Sequence, residues 1–269
     1  MKKSSDTFKH KKSFGQNFLI NPHVRNKIIE ACDLKSEETV LEIGPGEGAL
    51  TEELATRVKK VIAIEKDYFL AERLQEKFKN TNVNIIQHDI LTFDFNVLPK
   101  NIKAIGNLPY NIATPIIERI INHRRQFQAC FFMLQLEHGQ RLIAQPDSKD
   151  YGSLSCFVQY YAKVKKLFNI KNTAFYPKPK VESCFLRFDL WEKLPHQTKN
   201  EEFLFNVIRT GFSQRRKTIS NTLADLITKK DLTLILERLK INPQSRAENL
   251  TLENYIALSE LILQHRGRK

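Results

Sequence analysis

The chain has none of the features that mark membrane, secreted or metal-held proteins. No apolar run reaches the roughly 18 residues of a spanning helix, so no membrane partner is expected. Its start, Met1-Lys2-Lys3-Ser4-Ser5-Asp6, lacks the apolar segment of a signal peptide. The four cysteines, Cys32, Cys130, Cys156 and Cys184, are widely spaced with no paired-ligand pattern. They predict reduced core thiols in a cytoplasmic protein. The seven histidines are scattered, so no metal site is expected, and neither a repeat nor a low-complexity tract is visible. Acidic residues are also short, at 30 against 43 Lys and Arg, for a formal charge of +13.

That excess is uneven. Residues 1–30 carry seven basic and two acidic side chains, and residues 191–269 carry fourteen and nine, a net of +5 in each segment. Only +3 remains for the 160 residues between them. Basic ends around a near-neutral middle fit a nucleic-acid footprint with an active crevice between its parts. A generally basic soluble protein would not need the asymmetry. At 269 residues and 41% hydrophobic content there is material for one large domain and a small one.

Three apolar segments carry ligand chemistry at their ends. Thr39–Ile43 reads as a strand running into Gly44-Pro45-Gly46-Glu47-Gly48, after which a helical pattern begins. The glycines are spaced two and two, whereas the dinucleotide fingerprint needs two and three, so a ligand without phosphates is expected. A second strand, 61–65, ends in Glu65, 21 residues after Gly44, where a carboxylate can bind a ribose diol. A third, Val83–Gln87, is followed by His88-Asp89, and Asp89 can accept from an adenine amine. His88 reads as a strand-end residue rather than a base.

A fourth strand, 102–106, leads into Asn107-Leu108-Pro109-Tyr110. An Asn carbonyl and the carbonyl before or at the proline can accept both hydrogens of an exocyclic amine, and Tyr110 can stack on the ring that bears it. Taken alone, the same residues also suit a plain turn, with Asn107 as a cap and Tyr110 as packing. Four aligned strand ends facing one crevice favour the ligand reading. A nucleoside without phosphates beside a target amine points to S-adenosylmethionine.

At these residues the chain resembles the ribosomal RNA adenine dimethyltransferases, and within them the bacterial KsgA enzymes. The resemblance covers nearly the whole chain. It rests on residues 14–19, 42–51 and 107–111, on Phe175-Tyr176-Pro177-Lys178-Pro179-Lys180-Val181-Glu182-Ser183, and on Phe212-Ser213-Gln214-Arg215-Arg216-Lys217-Thr218. It implies transfer of two methyl groups to N6 of each of two adjacent adenosines near the 3′ end of small-subunit rRNA, within an immature 30S subunit and with a role in ribosome biogenesis.

The roles that follow are those of that frame. Gly44 and Gly46 let the backbone approach the methionine part of the cofactor, Glu65 holds the ribose, and Asp89 with Ile90 reads the adenine. By resemblance, Asn17 and Leu19 close over the cofactor and Gln16 lies near the target base. Asn107 and the Leu108 or Pro109 carbonyl take the target amine, while Tyr110 and Phe175 stack on its ring; Phe175 also reads as an ordinary core aromatic. Arg215, Arg216 and Lys217 suit rRNA phosphates, or form a solvated helix face. Leu136, His138-Gly139 and Ser153 depart from the family pattern on the surface expected to face RNA.

The fold these patterns predict is a doubly wound, mostly parallel α/β sheet of the Rossmann-like methyltransferase type with a small all-α C-terminal domain. Strands are expected near 39–43, 60–65, 83–87, 102–106 and 127–134, with further candidates at 164–170 and 184–189. Asn21-Pro22 caps a helix of about ten residues. The domain boundaries read as a basic arm over 1–20, a catalytic domain over 21–190, a polar linker over 191–200 and a helical RNA-binding domain over 201–269, built from segments 203–212, 232–239 and 252–263. A monomer is the default expectation. The competing functions are a large-subunit rRNA methyltransferase of the macrolide-resistance type, a DNA adenine methyltransferase, and an assembly factor acting by binding.

Overall fold

In the computed structural model, which describes residues 17–266, the strands β2 (Thr39–Ile43), β3 (Lys60–Glu65), β4 (Val83–Gln87), β5 (Ile102–Asn107) and β6 (Phe127–Gln135) form the parallel part of a seven-stranded sheet. Two further strands, β7 (Ala162–Ile170) and β9 (Ser183–Leu190), complete it in the order β4-β3-β2-β5-β6-β9-β7. β9 lies antiparallel to β6. The parallel strands are nearly continuous apolar runs because helices cover both faces, which leaves no polar face to alternate with. The predicted fold class is therefore the observed one.

Chain order decides where the crevice lies. From β2 the chain winds outward through α2 (Ala49–Arg57), β3, α3 (Tyr68–Lys77) and β4, then returns to the other side of β2 for β5, α4 (Ala113–Asn122) and β6. Winding thus reverses between β2 and β5, and the loops at their carboxyl ends part to leave a ligand crevice. The helix α1 (Pro22–Ala31) precedes this winding and starts where its signals place it, with Asn21 accepting from Val24 N–H at 3.1 Å and proline at its first position.

Lys103 is the one charge inside the predicted apolar run of β5. It is buried, and its ammonium meets Glu38 at 3.0 Å and the Asp33 carbonyl, so the charge is paired rather than stranded.

Two short strands were not foreseen. β1 (Phe18–Leu19) pairs antiparallel with β8 (Phe175–Tyr176), Phe18 facing Tyr176 and Leu19 facing Phe175. Two residues give no readable alternation, so this contact between distant segments leaves no periodic trace in the sequence.

The chain separates into two compact units. The first contains the sheet's parallel strands and the segment Lys166–Phe188. The second contains Glu137–Lys165 and everything from Asp189 onward, so residues 137–165, placed with the sheet by sequence pattern, cluster with the C-terminal helices. Its helices are α5 (Leu136–Ile143), α6 (Ser153–Tyr161), α7 (Glu201–Phe212), α8 (Ile219–Thr222), α9 (Lys229–Arg238) and α10 (Leu252–Arg266). Phe157, Tyr160, Tyr161 and Phe205 pack together there, and the Tyr161 hydroxyl donates to the Glu201 carboxylate. Among the described residues no helix is long and apolar enough to cross a membrane.

Gly106 tests the closeness of β2 and β5 at the crevice. A Cβ there would lie 2.8 Å from the Ile43 carbonyl and 3.1 Å from the Leu108 side chain. Gly106→Ala is expected to push the two strand ends apart and cost about 1–3 kcal/mol; thermal melting against the parent protein measures it.

Candidate active site

The carboxyl ends of β2, β3, β4 and β5 are adjacent, and the loops after them line a crevice of about 300 Å³ in the first unit. Its wall contains Asn17, Leu19, Gly44, Gly46, Glu65, Asp89, Ile90, Asn107, Leu108, Pro109 and Tyr110. Every residue expected at the cofactor is therefore in one place, together with four of the six expected at the target base.

The glycine turn is held open by backbone geometry. Gly44, Gly46 and Gly48 have φ of 66°, 60° and 85°, in the left-handed region where a side chain is strained. A Cβ on Gly46 would lie 3.0 Å from the Phe18 ring, so the turn and β1 press against each other. Glu65 ties this turn to the next strand: one carboxylate oxygen accepts from Gly46 N–H at 3.1 Å, the other from Asp67 N–H at 2.8 Å. A carboxylate has about four acceptor sites, so capacity remains for a ligand hydroxyl. Burial, and secondarily the Asp67 charge, raise the Glu65 pKa, and the N–H groups of Asp67, Gly46 and Lys66 oppose that rise.

Asp89 is in a different environment. It accepts from Leu91 N–H at 2.9 Å and pairs with Lys66 at 2.7 Å. Burial pushes its pKa up, but the Lys66 bond, the Leu91 N–H and the Lys66 charge together outweigh this and hold it below the usual range. His88 turns Nδ1 to the Asp89 carbonyl at 2.9 Å and stacks edge-on with Phe93, a structural placement.

Asn107 ends β5 with its side-chain NH2 donating to the Asn17 carbonyl at 2.7 Å. A carbonyl can only accept, so this bond fixes which end of the amide is which and leaves Oδ1 as the acceptor. The Pro109 carbonyl accepts from Ile112 N–H at 3.1 Å, closing a turn, so Leu108 is the better-placed second acceptor of the two foreseen. The Tyr110 hydroxyl is held by Ser183 Oγ at 2.7 Å, which orients its ring.

Three expectations do not map onto this arrangement. Phe175 is not in the crevice wall: it is 2% exposed and belongs to the hydrophobic core. Alternation along β8 turns one residue in and the next out, and the outward one is Tyr176. Arg215 is engaged within the second unit, donating to the Lys149 and Tyr151 carbonyls at 2.7 and 3.4 Å and to the Glu248 carboxylate at 3.0 Å, while Arg216 and Lys217 beside it are exposed. Gln16 lies outside the described residues.

The sequence pattern passed over Glu42. It lies in the crevice wall beneath the glycine turn and is 2% exposed, accepting from Thr51 Oγ1 at 2.7 Å. Its place inside an apolar strand was the available signal. Burial, and secondarily the Glu65 charge, raise its pKa to about 7 against the lowering effect of the Thr51 hydroxyl.

The comparisons with known proteins agree on a family. A family model described as ribosomal RNA adenine dimethylase matches residues 7–264. Ribosomal RNA small subunit methyltransferase A of Clostridium botulinum is 41% identical over 260 residues, covering 95% of this chain and 94% of its own length. A dimethyladenosine transferase from Plasmodium falciparum superposes with a TM-score of 0.80 at 28% identity, covering 93% of this chain and 98% of that one. The 23S rRNA methyltransferase ErmE superposes at 0.72 with 24% identity, over 92% and 100% of the two chains, which is a likeness of fold.

A raised folded-state pKa means that Glu42 contributes its stability below its unfolded value of about 4.5 and loses it as pH rises through about 7. Glu42→Gln removes that titration. The variant is expected to gain melting temperature relative to the parent between pH 5 and about 8, as paired thermal scans across that range would show.

Proposed function

Because the chain belongs to the ribosomal RNA adenine dimethylases, methyltransferases that use S-adenosylmethionine, we propose that its substrate is a pair of adjacent adenosines in the hairpin loop at the 3′ end of small-subunit rRNA, each dimethylated at N6. The observation that carries this is the fixed Asn107 amide at the end of β5, beside the glycine turn and in the same crevice wall. We further propose that the substrate is the immature 30S particle in the cytoplasm, and that the protein acts on it as a monomer.

The crevice fits the cofactor. Glu65 and Asp89 offer carboxylate acceptors at neighbouring strand ends, Ile90 and Leu19 supply apolar cover, and the glycine turn brings backbone close at the β2–β5 divide. When bound, the cofactor supplies an electrophilic methyl group on a sulfonium.

What the protein must do is make a poor nucleophile available. The adenine N6 lone pair is delocalised into the ring. Asn107 Oδ1 and the Leu108 carbonyl accept the two amine hydrogens, which localises that lone pair away from the ring. The Tyr110 ring, held by Ser183, supports the base after it leaves its loop. Positioning and fixed dipoles then supply most of the rate, and no strong base is needed because the methylated amine loses its proton readily. Unstacking the base costs a few kcal/mol, against roughly 1–3 kcal/mol per stacked aromatic. In this reading the helical region from residue 201 onward binds RNA, with Arg216 and Lys217 on phosphates and Arg215 holding the segment that carries them.

Methyl transfer from labelled S-adenosylmethionine to immature small subunits, large subunits, naked rRNA and duplex DNA, with mapping of the modified base, tests the substrate. Dimethyladenosine near the 3′ end of small-subunit rRNA is expected; label on large-subunit rRNA or DNA would overturn it. Asn107→Ala should abolish transfer while cofactor affinity stays within about fivefold, and full activity in that variant would refute the lone-pair role. Arg216→Ala with Lys217→Ala should lower the salt-dependence slope of rRNA binding by about 2, whereas Arg215→Ala should chiefly lower thermal stability.

A further inference from the structure

The loop between β8 and β9 is an exposed, stiffened surface that the reaction does not use. Its two ends are fastened to the crevice. At one end Tyr176 pairs directly with Phe18, whose ring packs on Gly46 of the cofactor turn. Directly opposed residues of an antiparallel pair project from the same face, so Tyr176 stands beside Phe18, which lines the crevice. At the other end Ser183 holds the Tyr110 hydroxyl, and just before it the Glu182 carbonyl accepts from Leu136 N–H at 2.9 Å.

Between these anchors the chain is restrained by Pro177 and Pro179. Pro179 is buried, and its carbonyl accepts from the Asn172 side chain at 3.2 Å. The side chains this stiff loop presents are an aromatic, an aliphatic and two cations, with one acid, Glu182, at its far end. Tyr176 is 57% exposed, Val181 is 45% exposed, and Lys178 and Lys180 are both exposed. A partly exposed aromatic on a loop that also carries two exposed cations suits a strand of nucleic acid, whose bases stack and whose phosphates need counter-charges.

We propose that this loop docks the RNA strand immediately flanking the target adenosine, with the Tyr176 ring as platform for a neighbouring base and Lys178 and Lys180 on its phosphates. The inference rests on the substrate reading above and adds a contact surface to it. Phe175, buried beneath, acts by keeping β8 in place. Because the loop is already rigid, little ordering is lost on contact, which favours its use in positioning the strand.

Binding of the full chain to unmethylated small subunits, measured across a salt series alongside methyl transfer, decides this. Tyr176→Ala is expected to raise both the Kd for the particle and the KM for transfer by about 5- to 100-fold, the range a lost base stack produces. Tyr176→Phe should restore both to within about twofold, since the ring and not the hydroxyl is used. Lys178→Ala with Lys180→Ala should reduce the salt slope by about 2. Cofactor affinity should be unchanged in all three, which shows that the crevice is still folded. Unchanged particle affinity in Tyr176→Ala, or failure of Tyr176→Phe to rescue, would overturn the proposal, as would a parental salt slope in the double variant. If the parent protein labels large-subunit rRNA or DNA instead, the substrate reading falls, and the same variant ratios on that nucleic acid still decide the loop. No labelling and no binding anywhere would overturn both.

Discussion

A carboxylate at 5% exposure has to be met by hydrogen-bond donors, and the way Glu65 is met organises the whole crevice. Its two oxygens accept from Gly46 and Asp67, so the glycine turn after β2 is pinned to the start of α3 after β3. The left-handed glycines make that turn possible, and the pinned turn supports Phe18. Phe18 belongs to β1, the strand that pairs with β8, and the Asn17 carbonyl just before it orients Asn107. Cofactor side and substrate side are thus linked through one short strand, by hydrogen bonds spanning 19 residues in one case and 90 in the other.

The sequence was most legible where function and local geometry coincide. The glycine turn, Glu65, Asp89 and Asn107 each end a strand, and strand ends are readable from apolar runs that stop at turn residues. Alignment of four such ends follows from the parallel winding, which a run of alternating strands and helices already specifies. Asn21-Pro22 was legible for the same reason: both the cap and the proline act within one turn of themselves.

Illegible features depend on contacts between distant segments. The β1–β8 pair joins residues 18–19 to 175–176, and no pattern in two residues discloses a partner so far away. Without it, the alternation that buries Phe175 in the core and exposes Tyr176 is invisible. Arg215 is similar. A run of three cations reads as a phosphate site, but a guanidinium can also cap carbonyls, and Lys149, Tyr151 and Glu248 are too remote in sequence to announce that use. Glu42 is inconspicuous because one carboxylate within a short apolar run leaves the strand pattern intact.

Three carboxylates share this crevice and differ in what they can do. Asp89 is kept anionic by Lys66, so it remains a committed acceptor. Glu42 and Glu65 are both raised by burial, Glu42 further by the Glu65 charge and Glu65 by the Asp67 charge. Ionising them in the free protein therefore costs stability, tolerated because the Thr51 hydroxyl and backbone N–H groups partly satisfy them. A cationic ligand in the same crevice relieves that repulsion, whereas an anionic one would deepen it. The electrostatics thus select against phosphate-bearing nucleotides and for a positively charged nucleoside. The glycine spacing points the same way through backbone geometry, an independent physical route. In the proposed reaction base catalysis has no place: the buried acids lie at the glycine turn and the end of β3, and the acceptors offered at the end of β5 are the neutral groups of Asn107 and Leu108.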